Sequence, residues 1–179
     1  MRVNLGCADR YAVGWRNVDH VACPYHVDEV VDLTEPLPWA TRSITHVYAG
    51  HVLEHLTMAD AEQLLKRLHP CMSEGGRIMV VGPDVDRARA MIKNGTFDDR
   101  YHSLETIIHG DHRWPGTEHR WECTAERVMS LLYAAGWSDV RSVGIADVAD
   151  SWPVVDRSQL WQCAVTAVVR RTYVETRSL

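Results

Sequence analysis

The feature that most constrains this chain is a pair of short N-terminal strands, each ending on a residue suited to meet a ligand. Arg2 to Leu5 alternates, carries Val3 and Leu5, and runs straight into Gly6, which reads as a buried strand broken by a glycine turn. Having no Cβ, Gly6 lets the backbone turn sharply and lets a ligand approach it, so the amides of Cys7, Ala8 and Asp9 are expected to face a polar group. A second strand, Trp15 to Val18, ends on Asp19. In open α/β sheets, ligands sit beyond the carboxyl ends of the strands, and an acid there can accept hydrogen bonds from the two hydroxyls of a ribose. The full dinucleotide pattern G-x-G-x-x-G is absent, because Gly6 to Tyr11 holds a single glycine. Asp19 also follows too soon to leave room for a full first helix.

The rest of the chain continues in the same idiom. Val27 to Leu33 ends as a short strand with Asp32 and Leu33 at its carboxyl end, and an acid there can accept from an adenine amino group. Ile44 to Tyr48 is the next strand, with Ala49-Gly50-His51 the turn out of it. Thr57 is placed to cap a helix over Met58 to Met72, with Leu64, Leu65 and Leu68 on one face. Gly75-Gly76 is read as the end of that unit, and Arg77 to Val81 as a strand. Strand, helix, strand in this order implies a parallel sheet. Helices are expected over Val85 to Lys93, Arg100 to Ile108 and Ala125 to Ala135, the last capped by Thr124 and closed by Gly136. Asp139 to Ile145 and Trp161 to Arg170 read as the final strands. The segment His109 to Trp121 is polar, aromatic and rich in histidine, which in a compact domain marks a functional loop.

A length of 179 residues suits one domain, residues 1–179, with a core that needs no covalent staples. No apolar run approaches a membrane span, and the N-terminus enters a strand without a signal-peptide pattern, so a cytoplasmic location is expected. Five scattered cysteines without C-x-x-C argue against a disulfide framework and a cysteine-rich zinc site. A net charge of −5 argues against a tight grip on nucleic acid.

Val3-Asn-Leu-Gly-Cys7, Gly14 to Asp19, Val31-Asp-Leu33, Leu37-Pro-Trp39, Val47 to Leu56 and Gly75 to Val80, in this order and spacing, resemble the small class I S-adenosylmethionine (SAM)-dependent methyltransferases. The likeness is to the compact subgroup whose first helix is short or missing. His119 to Trp137 resembles that family's late helix and Gly-aromatic turn. The resemblance implies a single-domain, Rossmann-like α/β fold, with a mostly parallel seven-stranded sheet and an antiparallel final strand pair. It further implies that Asn4, Gly6, Cys7 and Ala8 lie by the methionine part of SAM, Asp19 by the ribose and Asp32 with Leu33 by the adenine, with Gly50 and His51 facing the sulfonium. The family often has glycine where Ala8 stands. The implied activity is methyl transfer to an O or N nucleophile, and a small-molecule acceptor is the leading expectation. The alternative is a methyltransferase-like module that binds SAM or a partner without turnover. Oligomeric state is left open.

The histidines carry the remaining chemistry. His51 and His119 are the candidate bases. His51-Val-Leu-Glu54-His55 also matches H-x-x-E-H, a zinc-peptidase pattern that needs a helix and a further acid, for which Glu122 or Glu126 can be nominated. A milder metal reading follows from likeness to small-RNA 2′-O-methyltransferases, whose E-x-x-E-H and a later histidine hold a divalent ion. Here His51, Glu54 and His55 would be joined by His112 or His119. A divalent metal is not the favoured reading, which has Glu54 and His55 bracing the following helix while His51 alone touches the pocket. His109, His112 and His119 with Trp114 and Trp121 are expected to form a lid, the tryptophans giving the acceptor a flat wall.

Overall fold

The computed structural model describes residues 1–22, 26–98, 102–112, 116–153 and 159–170. Its strands are β1 (Arg2–Leu5), β2 (Arg16–Asp19), β3 (Glu29–Val30), β4 (Ile44–Gly50), β5 (Met72–Pro83), β6 (Ser138–Val143) and β7 (Gln162–Val168). Its helices are α1 (Met58–Cys71), α2 (Val85–Lys93), α3 (Leu104–His109) and α4 (Ala125–Ala134). The strands form one sheet in the order β3-β2-β1-β4-β5-β7-β6. β1 through β5 pair in parallel, and β7 runs antiparallel to both β5 and β6. This is the sheet the sequence implied.

Period-two alternation divides the strands between two layers. Val47 and Ala49 of β4 and Ile78 and Val80 of β5 face one side, where Leu64, Leu65 and Leu68 of α1 and Leu131 and Leu132 of α4 cover them. Tyr48, Met79 and Val81 face the other side and meet Trp15, Ile145 and Val148. A third apolar group, Val85, Ala88, Ile107 and Trp161, ties α2 and α3 to the far end of β5.

Side-chain caps start the helices as expected. Thr57 accepts from the Asp60 N–H and Thr124 from the Arg127 N–H, each satisfying an amide that the first helical turn leaves without a partner. Helix α1 ends within one residue of the expected Met72, short of the glycine pair expected to close the unit. Pro70, with no N–H to donate, lies in its last turn, and the helix closes at Cys71. Both glycines instead lie inside β5, where the register against β4 jumps from Ile44↔Met72 to His46↔Arg77. The helix expected over Arg100 to Ile108 is the shorter α3, capped by Ser103; Arg100 lies outside the described residues. Among the described residues, no helix is long and apolar enough to cross a membrane. The four described cysteines, Cys7, Cys71, Cys123 and Cys163, are buried, and none of them forms a disulfide with another.

Candidate active site

From β1 the chain moves outward to β2 and β3 and then crosses back to β4. The strand order therefore reverses between β1 and β4, and in open α/β sheets ligands bind at such a switch point. A cavity of about 330 Å³ lies there, with Gly6, Ala8, Gly50, His51, His119 and Trp161 among its walls.

The glycine turn after β1 is built by sterics. Gly6 has φ +57°, and a Cβ on it would come 2.7 Å from Val52 Cγ2. Only glycine satisfies both conditions. The turn is then tied to β2: the Cys7 N–H donates to Val18 O at 3.0 Å and the Ala8 N–H to Asp19 Oδ2 at 2.9 Å. This corrects the expectation that the Cys7 and Ala8 amides face a ligand, because both are committed within the protein. Asp19 Oδ1 accepts from the His20 N–H at 2.8 Å and the Val21 N–H at 3.4 Å and lies 3.0 Å from His20 Nδ1, so this nearly buried carboxylate braces the turn from behind the cavity walls, with acceptor capacity left on Oδ2. Asn4 lines the cavity, but its amide nitrogen is spent on Arg10 O and Asn17 Oδ1. Asn4 and Asn17 are register partners across β1 and β2, and Asn17 in turn donates to Asp28 Oδ2. The sequence signal for that network was an asparagine on each strand, and the reading passed over Asn17 and Asp28.

Ala8 carries its own strain, with φ +44°, in the left-handed region that costs an L-residue about 1–2 kcal/mol. Ala8→Gly is expected to stabilise the protein by about 0.5–1 kcal/mol after the greater freedom of the unfolded glycine is subtracted. A thermal scan should show Tm rising by roughly 1–4 °C. A lower Tm would count against the left-handed turn.

Asp32 and Leu33 follow β3 on the same edge, outside the cavity walls. Asp32 is exposed, and Thr34 N–H and Oγ1 both donate to its Oδ1. These bonds hold its pKa below the usual carboxylate value. The Leu33 side chain belongs to the core and its carbonyl accepts from Arg67 at 2.7 Å.

His51 leaves β4 with φ +55°, a rare conformation for a residue with a side chain. It aims the ring between two acceptors, Glu54 Oε1 at 3.0 Å from Nδ1 and Gln162 Oε1 at 3.0 Å from Nε2. Both nitrogens find acceptors only when the ring is the doubly protonated cation. Burial alone would lower its pKa, but the Glu54 hydrogen bond and charge, with Gln162, outweigh that and raise it. The His51 side chain keeps 40% exposure and lines the cavity. Glu54 is 1% exposed. Burial pushes its pKa up; the hydrogen bond from His51 and the positive charge on that ring overcome this and leave it lowered.

His55 and His119 stand together, ring centroids 5.0 Å apart. His55 Nδ1 lies 3.2 Å from Glu118 O and His119 Nδ1 lies 3.0 Å from Ile107 O. A carbonyl only accepts, so each Nδ1 carries the proton and each Nε2 keeps its lone pair. Burial is the main cause holding the His119 pKa below its ordinary value. The zinc-peptidase arrangement is not formed. Its motif occupies a strand exit and a single 3₁₀ turn, Leu53–His55, so His51 turns away from His55 and toward Gln162. Glu122 is paired with Arg89 at 2.8 Å. Nor do Glu54 and His55 cap α1, a role that falls to Thr57, and His51 does not touch the cavity alone, because His55 lines it as well.

The segment from His109 to Trp121 is held at both ends. Gly110 bridges Glu118, and the His119 N–H donates to His109 O at 2.9 Å. A Cβ on Gly110 would run into Thr117 O, and its φ is +84°. Trp121 Nε1–H donates to Leu53 O and Leu56 O, at 3.2 and 3.1 Å, and its ring packs on the core. Trp121 is therefore an anchor, and the aromatic wall of the cavity is Trp161, which the sequence reading had assigned to a strand. Trp114 lies outside the described residues. His109 and His112 are exposed and are not among the cavity walls.

No family model and no curated sequence matches the chain; the likeness is to solved structures. A SAM-dependent methyltransferase from Archaeoglobus fulgidus superposes with a TM-score of 0.61 at 16% identity, over 93% of this chain and 85% of that one. One from Mesorhizobium loti gives 0.60 at 16% identity, over 93% and 90%. Human N-acetylserotonin methyltransferase in complex with SAM gives 0.54 at 17% identity, over 93% of this chain and 46% of that one. Against such larger proteins the chain spans about half the length.

Proposed function

From a chain with the class I, Rossmann-like methyltransferase fold, we propose a SAM-dependent methyltransferase acting on an O or N nucleophile of a small-molecule acceptor. The observation that carries this is the cavity at the β1/β4 switch point, entered over a glycine turn that an acid from β2 holds in place. The residues fit SAM. Gly6 makes the left-handed turn that forms the cavity wall, Asp19 Oδ2 has acceptor capacity left beside its bond from Ala8 for a ribose, and Asp32, with only Oδ1 engaged among the described residues, remains for an adenine amino group. Gly50 and His51 lie at the end of β4, beside the reacting end.

SAM supplies the activated methyl group and a good leaving group. What the protein contributes is alignment of the acceptor and exclusion of water. Trp161 offers the acceptor an apolar face. Of the two histidines nominated as bases, His119 suits the part: its Nε2 lone pair is open and its lowered pKa keeps it neutral near pH 7. His51, with both nitrogens engaged, orients Glu54 and the cavity wall. The histidine-lined cavity of about 330 Å³ supports a small acceptor, as does the net charge of −5.

Calorimetry with S-adenosylhomocysteine tests the reading. The compound should bind and raise Tm by mass action. Asp19→Ala should weaken it by about 1.5–3 kcal/mol, the worth of a hydrogen bond to a charged group. No heat and no shift at millimolar ligand would overturn the proposal. Binding without turnover on any acceptor would favour a non-catalytic SAM-binding module.

A further inference from the structure

We propose that Glu54, His55 and His119 form a site for one divalent transition-metal ion on the acceptor side of the cavity. One ligand atom from each residue lies within 4.8 Å of the others. An ion about 2.1 Å from each ligand draws such atoms to roughly 3–3.5 Å apart, which small side-chain rotations achieve. The histidines are already set for ligation. Each Nδ1 is tied to a backbone carbonyl, Glu118 O or Ile107 O, so each presents Nε2 as the free lone pair, the arrangement that fixes metal-binding imidazoles elsewhere. Glu54 Oε1 is held by His51, which fixes the carboxylate and leaves Oε2 for the ion. His51 is thus an outer partner of the site and not a ligand.

The energetics favour a cation here. A carboxylate with 1% exposure is costly to keep ionised without compensation; His51 supplies it on the Oε1 side, and a dication adds to it on the Oε2 side. Two imidazoles and one carboxylate suit borderline first-row ions such as Zn²⁺, Mn²⁺ or Fe²⁺, whereas Mg²⁺ and Ca²⁺ prefer oxygen-only sets. His55 and His119 line the cavity, so the open coordination positions face it and take an oxygen of the acceptor. That last clause rests on the methyltransferase reading and narrows it to hydroxyl acceptors. The hydroxyl proton leaves to water, the oxygen forms the bond to the methyl carbon, and the electron pair of the broken carbon–sulfur bond stays on sulfur. His119 then serves as a ligand in place of a proton acceptor.

The test is a Co²⁺ titration of the full chain followed by visible absorption, with Zn²⁺ as competitor and S-adenosylhomocysteine calorimetry on the same samples. One equivalent of Co²⁺ should bind at micromolar concentration and be displaced by Zn²⁺. His55→Ala and His119→Ala should each weaken Co²⁺ at least about tenfold, and His112→Ala should leave it unchanged. Retained S-adenosylhomocysteine binding certifies that the variants are folded. Wild-type protein that binds the nucleoside but no Co²⁺ overturns the metal site and leaves the methyltransferase reading standing. Co²⁺ uptake without nucleoside binding supports the site and overturns that reading. Loss of Co²⁺ in His112→Ala, or none in the other two, overturns this set of ligands.

Discussion

His119→Ala is expected to lower turnover about 100-fold or more while leaving the Kd for S-adenosylhomocysteine within about twofold. The assay is release of S-adenosylhomocysteine with whichever hydroxyl or amine compound an acceptor screen yields. The asymmetry follows from position. His119 is fixed through Nδ1 to α3, far along the chain from the Gly6 turn, and lines the cavity beside His55. Whether that nitrogen receives a proton or holds an ion, the interaction is made with the reacting acceptor and not with the cofactor. A lost interaction of that kind lowers kcat rather than cofactor affinity. A fully active His119→Ala enzyme would remove His119 from the chemistry.

Gly6→Ala is expected to destabilise the protein by about 2–4 kcal/mol. Left-handed backbone at φ +57° costs an alanine about 1–2 kcal/mol, and forcing a methyl against Val52 Cγ2, which it would meet at 2.7 Å, adds about 1–3 kcal/mol of overpacking. Val52 is itself buried in the core, so it has little room to yield. Chemical denaturation should show the midpoint falling with the slope unchanged, and Tm should drop by roughly 5–15 °C. S-adenosylhomocysteine should also bind more weakly, because the methyl displaces the loop that shapes the cavity. A midpoint matching wild type would mean the turn is not built as described.

The parallel sheet was legible because its signals are local: β5 is an apolar run, Thr57 and Thr124 precede amphipathic helices, and Gly6 and Asp19 end strands. The end of α1 was placed at Met72, one residue beyond its observed end at Cys71; what local pattern missed is that β5 starts at Met72 and runs through the glycine pair. The site was legible only in part. His51, Glu54 and His55 were singled out as one cluster, yet whether His51 turns toward His55 or away depends on a single φ angle and on Gln162, which lies far off in sequence. Trp161 and Trp121 exchanged roles for a similar reason. A tryptophan in a polar loop and one at a strand start look alike until the indole N–H finds its acceptors, here Leu53 O and Leu56 O. Long-range pairing decided what local pattern left open.

The order of the sheet also dictates the order in which the site comes into being. β7, the last strand along the chain, is inserted between β5 and β6, so β5 has an open edge until residues 162–168 emerge from the ribosome. Pairings across so wide a separation form late and slowly. Gln162 begins that strand and reaches back across 111 positions to His51. The ring that borders the cavity therefore acquires its second partner only when synthesis has passed β7, and a nascent chain with the glycine turn complete still lacks a finished cavity wall.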